Sequence, residues 1–451
     1  LQENGDGEEE GKGDCGTKGA PAPPNIPDKM WKGLVESFNP SQLAAIRQVA
    51  MGSPTGFTLL QGPPGTGKTR TIMGIVGVLL AAGCPYPTGQ DVSPSSSPHT
   101  SYSHSATIRK GKGATKGVKI HVGASVSSGM MSHRKGSKII DTPVKSQIKN
   151  TRLLVVAPSN AAVDELVMRL VLEGVPGPGV GMVYPRVVRV GGPRADLDEG
   201  GGQGDTGRRG KRGVSPVVQE VSLEHLADIR GKATHRGGVV ARLDVLLEAQ
   251  VVCATLSGSG SQALVEALMH SIRMSEKHKQ KHEKHDWKAH KKQKYAPKRK
   301  VGKGIIGCSD MGFGGREECP PILTFDAVIM DEAAQAVEPS SLIPLKFNPR
   351  AVIMVGDPAQ LPATIFSQKA KGANYGQSLF LRLQRGGHPR MMLDTQYRMH
   401  PSIASFASTR FYQGLLRCAS TVTEFSHGQT FHCLKRFAPY LFHNVLEGRL
   451  R

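Results

Sequence analysis

Eight residues set the terms for this chain: GPPGTGKT at 62–69, directly after the apolar run Phe57 to Leu60 and shortly before the uncharged apolar stretch Ile72 to Cys84. Gly62, four residues, then Gly67, Lys68 and Thr69 is the full phosphate-loop pattern, and it is credible because it lies between a strand-like and a helix-like segment. The glycines let backbone N–H groups close around phosphate oxygens at a helix N-terminus, where the dipole favours an anion. Lys68 places a charge near the outer phosphates, and the Thr69 hydroxyl can ligate Mg²⁺.

Further runs of strand length follow: Leu153 to Val156, Val187 to Val190, Val251 to Ala254, Ala327 to Met330 and Val352 to Val355. Helical patterns lie between several of them. In Ala161 to Leu172, for example, Val163, Leu166, Val167, Leu170 and Val171 form one apolar stripe. Strands apolar on both faces and alternating with helices predict an α/β fold built on a doubly wound parallel sheet. Ligands bind such sheets at the carboxyl ends of the strands. Almost every polar cluster in this sequence directly follows an apolar run.

After Ala327 to Met330 come Asp331 and Glu332 in DEAAQ. An Asp ending a buried strand can anchor magnesium, and a Glu beside it can orient and deprotonate a water. After Val352 to Val355 comes GDPAQLP, where Gln360 offers an amide able to sense a terminal phosphate. Ser159 and Asn160 follow the run at 153, Thr255 and Ser257 the run at 251, and Gln396, Tyr397 and Arg398 follow Met391 to Leu393. Small hydroxyl and amide residues in such places can hold a nucleic-acid backbone. They serve equally well as helix N-caps.

In this order GPPGTGKT, APSNAAVDEL, CATLSGSG, FDAVIMDEAAQ, VGDPAQLPATI and LDTQYRMHPSI resemble the superfamily 1 nucleic-acid helicases, and among them the senataxin and up-frameshift branch, senataxin-like members above all. The resemblance implies RecA-like P-loop NTPase domains, ATP and Mg²⁺ as cofactors, and 5′ to 3′ movement on single-stranded RNA or DNA and on RNA–DNA hybrids. By motif position it implies nucleotide binding by Gly62, Pro63, Pro64, Gly65, Thr66, Gly67, Lys68, Thr69 and Arg70, with Tyr397 lining the pocket. FNPSQ resembles the branch's Q motif and points to Gln42 as the adenine reader. Thr69 and Asp331 would hold the metal, Glu332 would be the general base, Gln360 would couple the γ-phosphate to motion, and Arg398 would be an arginine finger. Ser159, Asn160, Thr255 and Ser257 fall where relatives touch the single strand. Relatives commonly read GDPKQLPPT where this chain has Ala359 and Ala363, outside the catalytic Gln.

Composition and charge refine this outline. Apolar residues are only 38 % of the 451, so part of the chain is expected to lie outside any core. The net charge of +21 sits largely in two stretches: 85–150, with ten basic and two acidic residues, and 277–300, with eleven and two. Both, with a Gly and Arg rich spacer at 200–213, read as structureless surface insertions. The expected organisation is a disordered lead-in over 1–27 and a first RecA-like domain over 28–390. That domain is interrupted near 85–150, by a prong-like region near 195–249 and by basic low-complexity sequence near 263–320. Residues 391–451 would open a second, incomplete domain, leaving this piece of chain short of a full motor. That shortfall keeps a nucleotide- and RNA-binding scaffold as the competing function. A GTPase is disfavoured by the QYR and DPAQLP blocks and by the lack of an NKxD-type segment. The scattered cysteines form no CxxC pair, which excludes a disulfide framework or a zinc ligand set. No apolar stretch reaches the roughly 18–20 residues of a membrane span. Leu1 in place of Met reads as a piece of a longer product. The basic segment 291–300 reads as a nuclear import signal or as a solvated, RNA-clinging tail, giving a nuclear location as the expectation.

Overall fold

All six strand-length apolar runs become strands of one parallel sheet in the computed structural model, and a seventh strand joins them. The structure describes residues 21–85, 151–179, 181–191, 215–235, 237–294 and 322–422, with the backbone alone at 279 and 281–294. The chain divides into two units, 1–88 with 148–451, and 89–147; all the described residues belong to the first. The lead-in over 1–20, the stretch 86–150, the spacer 200–213 and the tail from 423 lie outside the described residues.

Two short helices, α1 (Asp28–Ser37) and α2 (Pro40–Met51), precede the sheet. Helix α2 begins where it does because Asn39 and Gln42 form a reciprocal capping box ahead of Pro40, satisfying two otherwise orphaned N–H groups. Strand β1 (Phe57–Gln61) leads through the glycine-rich loop into α3 (Lys68–Ala82). Helix α3 is buried continuously from Thr71 to Leu80, which explains a segment apolar all round. Gly77 lets it approach a two-stranded hairpin, since a Cβ there would stand 2.5 Å from the Pro176 carbonyl.

Next come β2 (Leu153–Ala157), α4 (Asn160–Leu172), the hairpin of β3 (Val175–Pro176) and β4 (Met182–Val183), and β5 (Val187–Val190). Helices α5 (Pro216–Glu220), α6 (Leu223–Thr234) and α7 (Gly238–Glu248) lead to β6 (Val251–Thr255). Of the region expected to be prong-like, Leu223, Leu243 and Leu246 join a core layer against the sheet. Helix α8 (Gln262–Lys294) corrects an expectation: sequence read as structureless from 277 is helical through 294. The run contains no Gly or Pro and is rich in Lys, with Ala, Glu and Gln recurring along it. Helix propensity therefore prevails over the low-complexity appearance. Its first turns are anchored by buried Leu264 and Ala267, and Ser271 accepts a hydrogen bond from the Leu323 N–H where the chain returns.

The remaining elements are β7 (Ala327–Met330), α9 (Glu338–Leu342), β8 (Ala351–Gly356), α10 (Gln368–Gly372), α11 (Leu379–Arg385), β9 (Arg390–Met392), β10 (Thr395–Gln396), α12 (Pro401–Phe411) and β11 (Arg417–Cys418). The sheet order is β5-β6-β2-β7-β8-β1-β9, with every pair parallel. The division expected between 390 and 391 falls inside β9, which pairs with β1. Alternate strand residues separate into two core layers. Leu153, Val155, Ile329 and Ile353 face α1 to α4, while Leu154, Val156, Val328 and Met354 face α6 to α8 and α11. Burial on both faces is why these strands read as unbroken apolar runs.

Candidate active site and strand-facing edge

Three neighbouring strands, β7, β8 and β1, carry at their carboxyl ends the DEAAQ segment, the GDPAQLP segment and the phosphate loop. The loop is packed too tightly for a side chain at its glycines. Gly65 and Gly67 hold φ of +75° and +78°, a Cβ on Gly62 would stand 2.2 Å from Lys68 Cγ, and one on Gly67 would stand 2.6 Å from Gln42 Nε2. Pro63 closes the loop by accepting from the Thr66 hydroxyl at 2.8 Å, and the Gly62 N–H donates to the Gly356 carbonyl at 3.0 Å, tying the loop to the end of β8. Gln42 is buried and braces the loop, its Nε2 donating to the Thr66 carbonyl at 2.9 Å. Arg70 turns away, donating to the Ser37 carbonyl with its guanidinium over Phe38.

Lys68 Nζ lies 3.1 Å from a Glu332 carboxylate oxygen, and the Gln335 amide donates to the other at 3.3 Å. Glu332 holds a left-handed backbone at φ 49°, which turns its side chain back over the loop. Asp331 is buried and accepts the Glu332 N–H at 2.9 Å. Burial first, then the Glu332 charge, pushes its carboxyl up to about 6, against the backbone hydrogen bond and Lys68, which favour ionisation. Among the described residues the Thr69 hydroxyl has no hydrogen-bond partner. A carboxylate and a hydroxyl are the hard oxygen ligands that Mg²⁺ takes, and a cation there would offset the buried negative charge, so the residues present fit that ion.

Gln360 lies beside the loop, its Nε2 3.4 Å from the Gly62 carbonyl. The same amide donates to Asp357 at 2.8 Å, and this buried carboxylate gathers more donors: Gln61 Nε2 at 2.9 Å, the Ala359 N–H at 3.1 Å and the Tyr412 hydroxyl at 2.7 Å. Arg390 donates to Gln61 behind it. Burial, then the bond to Asp357, pushes the Tyr412 phenol above its ordinary range. In the sequence Asp357 reads as part of a rigid turn and Tyr412 carries no signal, so this hub was not legible.

The QYR segment sits on the tip of the phosphate loop. Buried Gln396 accepts the N–H groups of Arg398 and Met399 at 2.8 and 2.7 Å, forming a turn that presents Tyr397 and Arg398. The Tyr397 N–H donates to the Gly65 carbonyl at 2.9 Å, and its hydroxyl accepts from Asn39 at 2.9 Å. Arg398 is exposed, with its guanidinium unpartnered among the described residues.

The other half of the edge, at β2 and β6, carries Ser159, Asn160, Thr255 and Ser257. Ser159 caps α4, accepting the Ala162 N–H at 3.2 Å, and Thr255 accepts the Gly258 N–H at 2.9 Å. Both hydroxyl oxygens are therefore used as acceptors, Ser159 as an N-cap and Thr255 in a turn, and Thr255 Oγ1 also lies 3.4 Å from Ser257 Oγ. Asn160 and Ser257 are exposed. Behind Asn160 lies a residue the sequence reading passed over, the fully buried Arg189. A lone charge inside the run Val187 to Val190 was the available signal.

A family model described as an AAA domain matches residues 37–244 and 267–368, and a second of the same description matches 375–451. Among curated proteins the chain is 32 % identical to "Probable helicase MAGATAMA 3" of Arabidopsis thaliana, over 92 % of this chain and 43 % of that protein. It is 30 % identical to "Helicase SEN1" of Saccharomyces cerevisiae over 95 % of this chain and 18 % of that one. With "Probable helicase senataxin" of Mus musculus the identity is 26 % over 92 % of this chain and 14 % of that one. The chain thus spans less than half the length of these relatives. Six ordered motifs at one edge of a parallel sheet and matches covering most of the chain lead to one assignment: the chain belongs to the AAA-domain superfamily 1 helicases, in their senataxin-like branch.

Proposed function

We propose that this chain is the ATP-hydrolysing portion of an ATP-dependent helicase that moves on single-stranded RNA or DNA and opens RNA–DNA hybrids in the nucleus. The observation that carries the reading is the gathering of Lys68, Asp331, Glu332 and Gln360 at the ends of three adjacent strands, around a loop whose three crowded positions are glycine. Lys68 exchanges Glu332 for the outer phosphates, which frees the Glu332 carboxylate to take a proton from the attacking water. Thr69 and Asp331 would hold Mg²⁺, which would supply charge withdrawal from the phosphate oxygens. Gln360 reads the terminal phosphate while fixed to Asp357, and Arg398, held over the loop by its backbone, is the arginine finger. Tyr397 flanks the nucleotide, and Gln42 keeps one amide hydrogen and one lone pair for the adenine edge. Ser159, Asn160, Thr255 and Ser257 hold the strand backbone, and the basic segment 291–300 directs nuclear import.

A protein that joins these residues to a complete second RecA-like domain is expected to hydrolyse ATP faster with single-stranded RNA than without, whereas residues 1–451 alone are expected to bind ATP weakly and turn it over little. Lys68→Ala is expected to abolish the stimulated rate, measured as phosphate release at saturating RNA. Stimulation that survives this substitution would overturn the reading.

A further inference from the structure

Arg189 is the largest fully buried side chain among the described residues, and each edge of its guanidinium is used. Nε donates to Asp164 at 2.8 Å, Nη1 to the Val190 carbonyl at 2.6 Å, and Nη2 to Asn160 Oδ1 at 2.8 Å. Arginine has no acceptor. An amide facing it must therefore turn its oxygen inward, because the flipped orientation would set N–H against N–H. The amide nitrogen of Asn160 then points the other way. It meets no acceptor among the described residues, and Asn160 is exposed.

We propose that Arg189 is a positioning residue that locks the Asn160 amide with its NH₂ group outward, converting a side chain of two-fold chemistry into a dedicated donor for a phosphate oxygen of the bound strand. The proposal rests on the reading of Asn160 as a strand contact. A phosphodiester offers acceptors only, so an unrestrained amide would spend part of its time presenting an oxygen to it, with repulsion. Asp164 completes the arrangement by neutralising the guanidinium within the protein, so that Arg189 acts through the amide and adds no free charge at the surface.

The test is the affinity of the protein for a fluorescent twelve-nucleotide oligouridine, read by anisotropy, with circular dichroism as the check on folding. Asn160→Ala should weaken binding about tenfold, the scale of one hydrogen bond to a charged acceptor. Asn160→Asp keeps the partner of Arg189 but presents oxygen outward, and should weaken binding clearly more than Asn160→Ala. Arg189→Met should weaken binding by about twofold, the cost of letting the amide populate both orientations, and add nothing in the Asn160→Ala background. If Asn160→Ala leaves affinity unchanged, the strand-contact reading fails and the proposal with it. If Asn160→Ala weakens binding but Asn160→Asp does so no more, or Arg189→Met adds its full effect to Asn160→Ala, the contact stands and the positioning role is overturned. Should Arg189→Met fail to fold, the comparison of Asn160→Asp with Asn160→Ala decides.

Discussion

Asp331 is buried at the end of β7 beside the phosphate loop, while the role proposed for it, holding Mg²⁺, would need it ionised; the two conflict without a cation. A carboxyl raised from its ordinary value to about 6 binds its proton more tightly in the folded chain than in the unfolded one. Stability therefore falls as pH rises from about 4 through 6, by about 3 kcal/mol as an order of magnitude. Asp331→Asn is expected to raise the urea midpoint of the metal-free protein at pH 7.5, and the gain should shrink as pH is lowered through 6 towards 4. A gain that does not depend on pH would show that another group sets the balance. Residues of this kind were legible because their chemistry lies in contiguous motifs. Arg189 and Asp164 were not, since 25 positions separate them and only the packing of β5 beside α4 brings them together.

Ends of four elements converge on Asp357: β1 through Gln61, β8 and its following turn through Ala359 and Gln360, β9 through Arg390 and Gln61, and α12 through Tyr412. Tyr412→Phe removes one donor from a buried carboxylate and is expected to destabilise the protein by about 1.5–3 kcal/mol, measured by denaturant unfolding. Because the phenol is raised, its stabilising bond is fully present below the ordinary tyrosine value of about 10 and is lost as pH climbs beyond it. The penalty of Tyr412→Phe should accordingly be constant from pH 7 to 9. Elements with a strong period were readable in advance: the six apolar runs match β1, β2, β5, β6, β7 and β8 to within a residue at either end, and α4 begins one residue early because Ser159 caps it. Helix α8 was misread because composition was weighed above propensity, and the two-residue pairing of β10 with β11 has no local pattern at all.

Across the whole molecule the sheet separates functions by edge and by half. The described chain stops at 85, after α3, and resumes at 151 before β2 and at 322 before β7; the starts of β2 and β7 lie at the amino edge, opposite the phosphate loop. Replacing residues 86–147 by a short Gly/Ser linker should leave the ATP KM within about twofold. It should raise stability by up to about 2 kcal/mol, the entropy of closing a shorter loop. A large rise in KM would show that the basic segment reaches the nucleotide side. Along the carboxyl edge, the phosphate loop at β1 and the hydroxyls at β6 are four strand spacings apart, about 19 Å at roughly 4.8 Å each. Hydrogen bonds run across that interval, from Asp331 to the Val156 carbonyl and from Leu256 to the Ala157 carbonyl. The sheet therefore behaves as a ruler with fixed marks. On the proposed reading, a bound strand and a bound nucleotide would keep one separation on it, and any step length would be measured against a body that slides past the ruler rather than by stretching it.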